Sequence, residues 1–199
     1  MLFDKLEGER VVLMPLAEEH IEPLYECSRN PIIWTHYPIE ISSIKDMETF
    51  VYKALDGRKE NEQFPYAVFD KSLNKIIGTT RYLRISDVNR NLNIGSTWYT
   101  PEVWRTRVNT ECKYLLLRFA FEQWAAVRVE IITTPDNMRS QKAIERLGAL
   151  REGVFRKKYN QRDYVIYSFI DEEWKEIKER LERFLNEPNT LPTITSSLL

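Results

Sequence analysis

Sulfur is scarce in this 199-residue chain: its two cysteines, Cys27 and Cys112, stand apart, with no CxxC pair and no spacing suited to a metal. That excludes a disulfide framework and a cysteine metal centre, and both thiols read as buried or incidental in a reducing compartment. An excess of charge is also missing. With 29 basic and 30 acidic residues the net charge is −1, so no global field draws the chain to nucleic acid or to a membrane surface, and any anion site must be local. No stretch approaches the roughly 20 apolar residues of a membrane span. The opening MLFDKLEGER has no basic segment ahead of an apolar run, so no secretory signal is expected and the chain reads as cytoplasmic. What is present is material for a core: 43% hydrophobic and 12% aromatic content argue against disorder and for one domain, with at most a tail.

Periodicity places the elements in order. Val11 to Met14 is a short strand, and Ala17 to about Arg29 a helix with Ile21, Leu24 and Tyr25 on one face, closed by Asn30-Pro31. The aromatic segment Ile32 to Ile41 is a loop. Ser42 or Ser43 caps a second helix carrying Met47, Phe50, Val51, Ala54 and Leu55, with Gly57 expected at its end. Strands 64–69 and 76–83 form a hairpin, in which Gly78 marks a bulge or a close backbone approach. A strand 92–99, a helix 109–124, a strand 127–133 and a short helix ended by Gly148 follow. Strands 150–156 and 164–170 and an amphipathic helix 171–185 complete the domain, 1–185, leaving 186–199 as a flexible tail. The pattern is an α/β fold of seven strands, with antiparallel hairpins around one strand–loop–helix unit.

That unit runs from Tyr99 to Trp124. A strand ends at Pro101, a short loop holds Arg105, Thr106 and Arg107, and a long helix starts at Asn109, Thr110 and Glu111. Unpaired N–H groups and the positive dipole end of such a helix form a site for phosphate without a metal.

With the run Asn137-Met-Arg-Ser140-Gln-Lys-Ala143-Ile-Glu-Arg-Leu147-Gly148-Ala-Leu-Arg-Glu152-Gly153, this unit resembles the GNAT superfamily of acetyl-CoA-dependent N-acyltransferases. The pattern NxxSxxAIExLGxxxEG is matched at every named position, and the likeness is nearest to the branch containing the ribosomal-protein N-terminal acetyltransferases. It covers nearly all of residues 8–172. The resemblance implies a mixed, mostly antiparallel seven-stranded sheet with a splayed central strand pair and flanking helices.

It also implies roles. The coenzyme pyrophosphate would lie on backbone N–H groups of Arg105, Thr106, Arg107, Val108, Asn109 and Thr110. The pantetheine arm would pair with the strand edge at Thr97, Trp98 and Tyr99, and Asn137 would hydrogen-bond that arm. Ser140 would stand near the departing thiolate. The family loop usually contains glycine and this one has none, so both arginines are expected at negative φ with side chains turned outward. They would then either reach a phosphate or merely solvate the loop. Asn137 alternatively reads as a simple N-cap. Relatives often carry a glutamate general base at the position of Asn93; asparagine takes no proton but can hold a water. Trp34, His36, Tyr37, Tyr82, Tyr159 and Tyr164 are candidates for the acceptor wall.

Deprotonation energy ranks the acceptors. At pH 7 a lysine amine costs about 4–5 kcal/mol to deprotonate and an α-amine only about 1 kcal/mol. The expected activity is acetyl transfer from acetyl-CoA to a primary amine, a protein N-terminus or a small molecule, by direct attack. The expected state is a monomer or homodimer, with no metal, no nucleic acid and no membrane partner. A catalytically silent acyl-CoA-binding module is the competing expectation, motivated by Asn93 and by Ile144 where many relatives have a tyrosine.

Overall fold

The computed structural model describes residues 3–187. Eight strands form one sheet: β1 Leu6–Glu7, β2 Val11–Pro15, β3 Gln63–Asp70, β4 Lys75–Ser86, β5 Asn91–Tyr99, β6 Arg128–Thr133, β7 Leu150–Tyr159 and β8 Arg162–Ile170. Their spatial order is β1-β2-β3-β4-β5-β6-β8-β7, and every pair is antiparallel except β5 with β6. Seven strands were expected; the eighth is β1, a two-residue strand whose Leu6 pairs with Leu13. So short a segment has no readable periodicity.

Five α-helices cover the sheet: α1 Ile21–Ser28, α2 Ile44–Lys59, α3 Val108–Glu122, α4 Met138–Leu147 and α5 Trp174–Asn186. Alternation along the strands sends one set of side chains to each face. Helices α1 and α2 pack on one face through Leu24, Met47, Val51 and Ala54 against Ala67, Ile76 and Trp98. The other face holds α3, α4 and α5, whose Leu115, Leu116, Phe119, Ile144, Leu147 and Ile177 meet Tyr66, Tyr82, Ile94, Val129 and Tyr167.

Local chemistry explains most boundaries. Ser43 caps α2 by accepting from the Asp46 N–H at 3.2 Å, while the Asp46 carboxylate accepts from the Ser43 N–H at 2.8 Å. Gly57 does not end α2, which runs on to Lys59; there the glycine makes room for the Gln63 amide. Gly78 is a close approach: a Cβ at this residue would collide with the Trp98 carbonyl oxygen. Gly148, at φ 102°, closes α4 in the left-handed region as expected. The first helix is shorter than its periodicity, because Glu18–His20 form a 3₁₀ turn before α1. Of the expected tail, Asn186 is the last residue of α5, and 188–199 lie outside the described residues.

Candidate active site

The sheet opens at its one parallel pair. Strand β5 bonds β6 only through Asn91, Leu92 and Asn93, opposite Arg128, Val129 and Glu130. Beyond Asn93 the edge of β5 facing β6 has no strand partner. The cause is a bulge: Arg81 pairs with Gly95 and Thr79 with Trp98, so Ser96 and Thr97 together face Thr80. Ser96 takes φ 45° to do so, and the strand turns away from β6. The backbone of Thr97–Tyr99 therefore has no strand partner on its β6 side, and there the Tyr99 carbonyl oxygen is taken by Trp104 Nε1. The side chains themselves are engaged elsewhere. Trp98 is packed among α1 and α2, and Tyr99 among α3 and its neighbours.

Beneath the bulge lies a residue that sequence reasoning did not single out. Lys113 of α3 is only 5% exposed and donates from Nζ to Thr97 Oγ1 at 2.9 Å. Burial pushes its ammonium down to about 8. The Thr97 hydroxyl also meets Thr80 Oγ1 at 2.8 Å.

At the end of β5 the chain makes a 3₁₀ turn over Pro101–Val103 and enters α3 through Arg105–Arg107. Among the described residues, the N–H groups of Arg105, Thr106, Arg107, Asn109 and Thr110 have no acceptor, whereas Val108 N–H finds Thr106 Oγ1 at 3.3 Å. These unpaired donors stand together at the N-terminus of α3. Arg105 stands at φ 62°, contrary to the expected negative value. The loop needs a left-handed residue here to turn into the helix, and arginine adopts it at about 1–2 kcal/mol. Arg107 has the expected negative φ of −68°, but its guanidinium donates to the Glu187 carbonyl oxygen at 2.7 Å. Val108 is wholly buried, and Thr110 Oγ1 accepts from Arg146 at 2.7 Å. The loop and the start of α4 meet at Trp104, whose Nε1 donates to Tyr99 O at 2.9 Å and whose ring lies 3.7 Å below the Arg139 guanidinium.

Asn137 is the N-cap of α4: its Oδ1 accepts from Ser140 N at 3.1 Å, leaving its Nδ2 as a donor. Ser140 is half-buried on the first turn. Asn93 is buried on the opposite face, between Leu83 and Glu130 in register. Near Glu130, Arg128 joins two carboxylates, bonding Glu130 Oε1 and Glu152 Oε1 each at 2.7 Å. Hydrogen bonds from Arg128 hold the Glu152 carboxyl down to about 2.

The face of α1 and α2 carries the acceptor candidates. Trp34 is buried with its ring 5.3 Å from those of both Tyr37 and Trp98. His36 Nδ1 lies 3.5 Å from Asp136 Oδ2, so the 31–41 loop spans the opening to the segment after β6. Tyr159 packs edge-on against Tyr164 and under Arg84. Tyr82 is not with them. It is fully buried on the other face, donating to Leu116 O at 2.6 Å, and its place is in the core. A groove of about 720 Å³ lies apart from this opening, between α3, α5 and the β1–β2 turn, and touches the helix start only through Arg107 and Glu111.

Among the described residues no group of three or more histidine, cysteine or carboxylate side chains could hold a metal ion, and no helix is long and apolar enough to cross a membrane. Known proteins share this architecture. YoaA of Bacillus subtilis (strain 168), an uncharacterized N-acetyltransferase, is 22% identical over 174 residues, covering 85% of this chain and 98% of that one. The crystal structure of a GCN5-related N-acetyltransferase from Brucella melitensis superposes with a TM-score of 0.86 at 27% identity, over 96% of this chain and 88% of its own. A ribosomal-protein-S5-alanine acetyltransferase from Vibrio fischeri shares the fold, with a TM-score of 0.71 at 18% identity over 86% and 99% of the two chains. The profile of the acetyltransferase (GNAT) domain matches residues 10–150, and with the opened strand pair and the donor-lined start of α3 it makes this chain a member of the GNAT family and an acetyltransferase.

Proposed function

We propose that the enzyme moves the acetyl group of acetyl-CoA, the cosubstrate of GNAT domains, onto a primary amine by direct attack. The observation that carries this reading is the free edge of β5 leading into the five acceptorless N–H groups at Arg105–Thr110. The pyrophosphate fits those donors. The pantetheine arm fits the backbone of Thr97, Trp98 and Tyr99, with Asn137 Nδ2 as a further donor.

The amine approaches from the face of α1 and α2, past Trp34, His36, Tyr37 and Tyr159. Its nitrogen forms a bond to the thioester carbon and gives up a proton to water, the C–S bond breaks, and the thiolate takes a proton from Ser140, whose hydroxyl is restored from that water. Backbone donors at the bulge polarise the carbonyl. Asn93 positions water rather than taking the proton, so an amine that is cheap to deprotonate is favoured.

The test is thiol release from acetyl-CoA over a panel of primary amines and peptides, beside a calorimetric titration with CoA. Release with at least one amine is expected. Binding of CoA with no release from any amine would replace transfer by mere binding, and absence of CoA binding would overturn the site.

A further inference from the structure

One arginine on the acceptor face has no counter-ion. Arg81 of β4 is 5% exposed, and its Nη1 donates to Gln63 Oε1 at 3.1 Å, while Nε and Nη2 are buried with no partner among the described residues. Its guanidinium lies 4.7 Å over the Phe50 ring. Burial lowers its pKa, and the titratable group acting on it is the neutral phenol of Tyr37 rather than a carboxylate. Buried charges are ordinarily paired, because desolvation without compensation is costly. Two further donors are orphaned beside it, the Tyr37 hydroxyl and Trp98 Nε1. They form one cluster: the Trp34 ring touches both Tyr37 and Trp98, and Arg81 pairs with Gly95, next to the bulge at Ser96. The Arg81 and Trp98 groups can only donate, so what they lack is an acceptor; the Tyr37 hydroxyl, beside the Ser96 side chain, can serve either way.

The geometry of the unpaired edge narrows it. Nε and Nη2 are the two N–H groups on one edge of the guanidinium, the edge that matches two coplanar oxygens. The same chain shows what fills such an edge. Arg10 turns its Nε and Nη2 to the Asp70 carboxylate, Nε donating to Oδ1 at 3.2 Å and Nη2 to Oδ2 at 2.7 Å. A dianionic phosphate would bring a second negative charge among the rings of Phe50, Trp34, Tyr37 and Trp98. A carboxylate brings one.

We propose that the Nε–Nη2 edge of Arg81 binds a carboxylate of the acceptor, so that the acetylated amine is a small molecule carrying its own carboxylate, of the free amino-acid class. This rests on the acetyl-transfer reading and narrows it. The first residue of a protein has its α-carboxyl group tied up in a peptide bond; a free amino acid carries it as a carboxylate beside the amine. The acceptor reaches Arg81 by displacing the cover formed by the 31–41 loop.

The experiment pairs each of a set of L-amino acids with its carboxamide as acceptor, in the thiol-release assay and in calorimetric titrations. For the best pair, the acid is expected to exceed the amide at least thirtyfold in kcat/KM. Arg81→Lys keeps a charge but loses the edge, and should bring the ratio near unity while CoA affinity stays unchanged. Arg81→Gln repeats the comparison should the lysine variant not fold. Equal or better turnover of the amides overturns the proposal, as does better turnover of an aminophosphonate than of its carboxylate twin. If no amine releases thiol, the transfer reading fails first, and the titrations still decide this one. Amino acids that bind the native protein and not Arg81→Lys uphold it. Failure of all of them to bind means that buried water alone fills the edge, and overturns it.

Discussion

Arg10 and Arg81 offer the same guanidinium edge at two places in one sheet, and only one is answered. Arg10 meets the buried Asp70 carboxylate, which also accepts from the N–H groups of Ser72 and Leu73 at 2.9 and 3.3 Å. Burial alone would raise the Asp70 pKa, but Arg10 and those N–H groups outweigh it and hold the carboxyl below its usual range. That pair ties β2 to β3 and the turn after it. Arg81 lies deeper, 5% exposed against 23% for the Arg10 side chain, with aromatic rings for neighbours and its Nε and Nη2 unspent. A filled edge contributes to stability; an empty one is tolerated where a ligand completes it.

The largest way to break the contrast is to empty the filled edge. Asp70→Asn should lower stability by about 2–3 kcal/mol, because it leaves Arg10 unpaired and weakens the turn. A urea melt reads it, and a loss no larger than that of an ordinary surface substitution would mean that the two arginines do not differ.

Lys113 sharpens the contrast by proton count. It too is a buried cation without a carboxylate, but lysine can shed its proton and arginine cannot. Its folded pKa, about 8, lies below the ordinary 10.5, so the unfolded chain holds the proton longer. Stability from this group therefore rises as pH climbs from about 8 to 10.5, and is absent below. The difference in urea midpoint between native protein and Lys113→Met should change over that window and stay flat for Arg81→Met. A flat difference for both would place Lys113 in water.

Smaller effects follow. Arg81→Met removes a desolvated charge and should raise the stability of the unliganded protein by about 1 kcal/mol. A fall instead would show that the native fold already satisfies the edge. Arg105, exposed on the loop before α3, belongs to neither class. Arg105→Ala should weaken CoA binding by a few-fold at low salt, and by less as salt rises. Arg107→Ala should do less, since that side chain is bonded to the Glu187 carbonyl oxygen. The reverse order would move Arg107 onto the phosphates.

The strands and helices were legible because alternation and the 3.6-residue period report burial directly, as Met47, Phe50, Val51 and Ala54 did for α2. The run at 137–153 pointed to the family, and the family to the opened β5 edge. Four residues were not legible. The left-handed Arg105 was hidden because residue type predicts φ only for glycine and a few polar residues, and the loop imposed the conformation from outside. Tyr82 was grouped with the acceptor aromatics because a tyrosine on a strand reads alike from either face. Arg81 and Lys113 passed as ordinary charges, since only the fold shows that nothing charged stands opposite them. Within 76–83, the strand expected from the sequence, Arg81 is the one charged residue, and that was the available signal.

One measurement meets the central claim, that the Arg81 edge is empty because its partner arrives with the substrate. It is the thermal midpoint of native protein and Arg81→Met, with and without the amino acid that gives the fastest thiol release, at saturating CoA. Ligand binding to the folded state raises the midpoint. The order should reverse: the variant melts higher without the amino acid, and the native protein melts higher with it. An order unchanged by the amino acid would contradict the account.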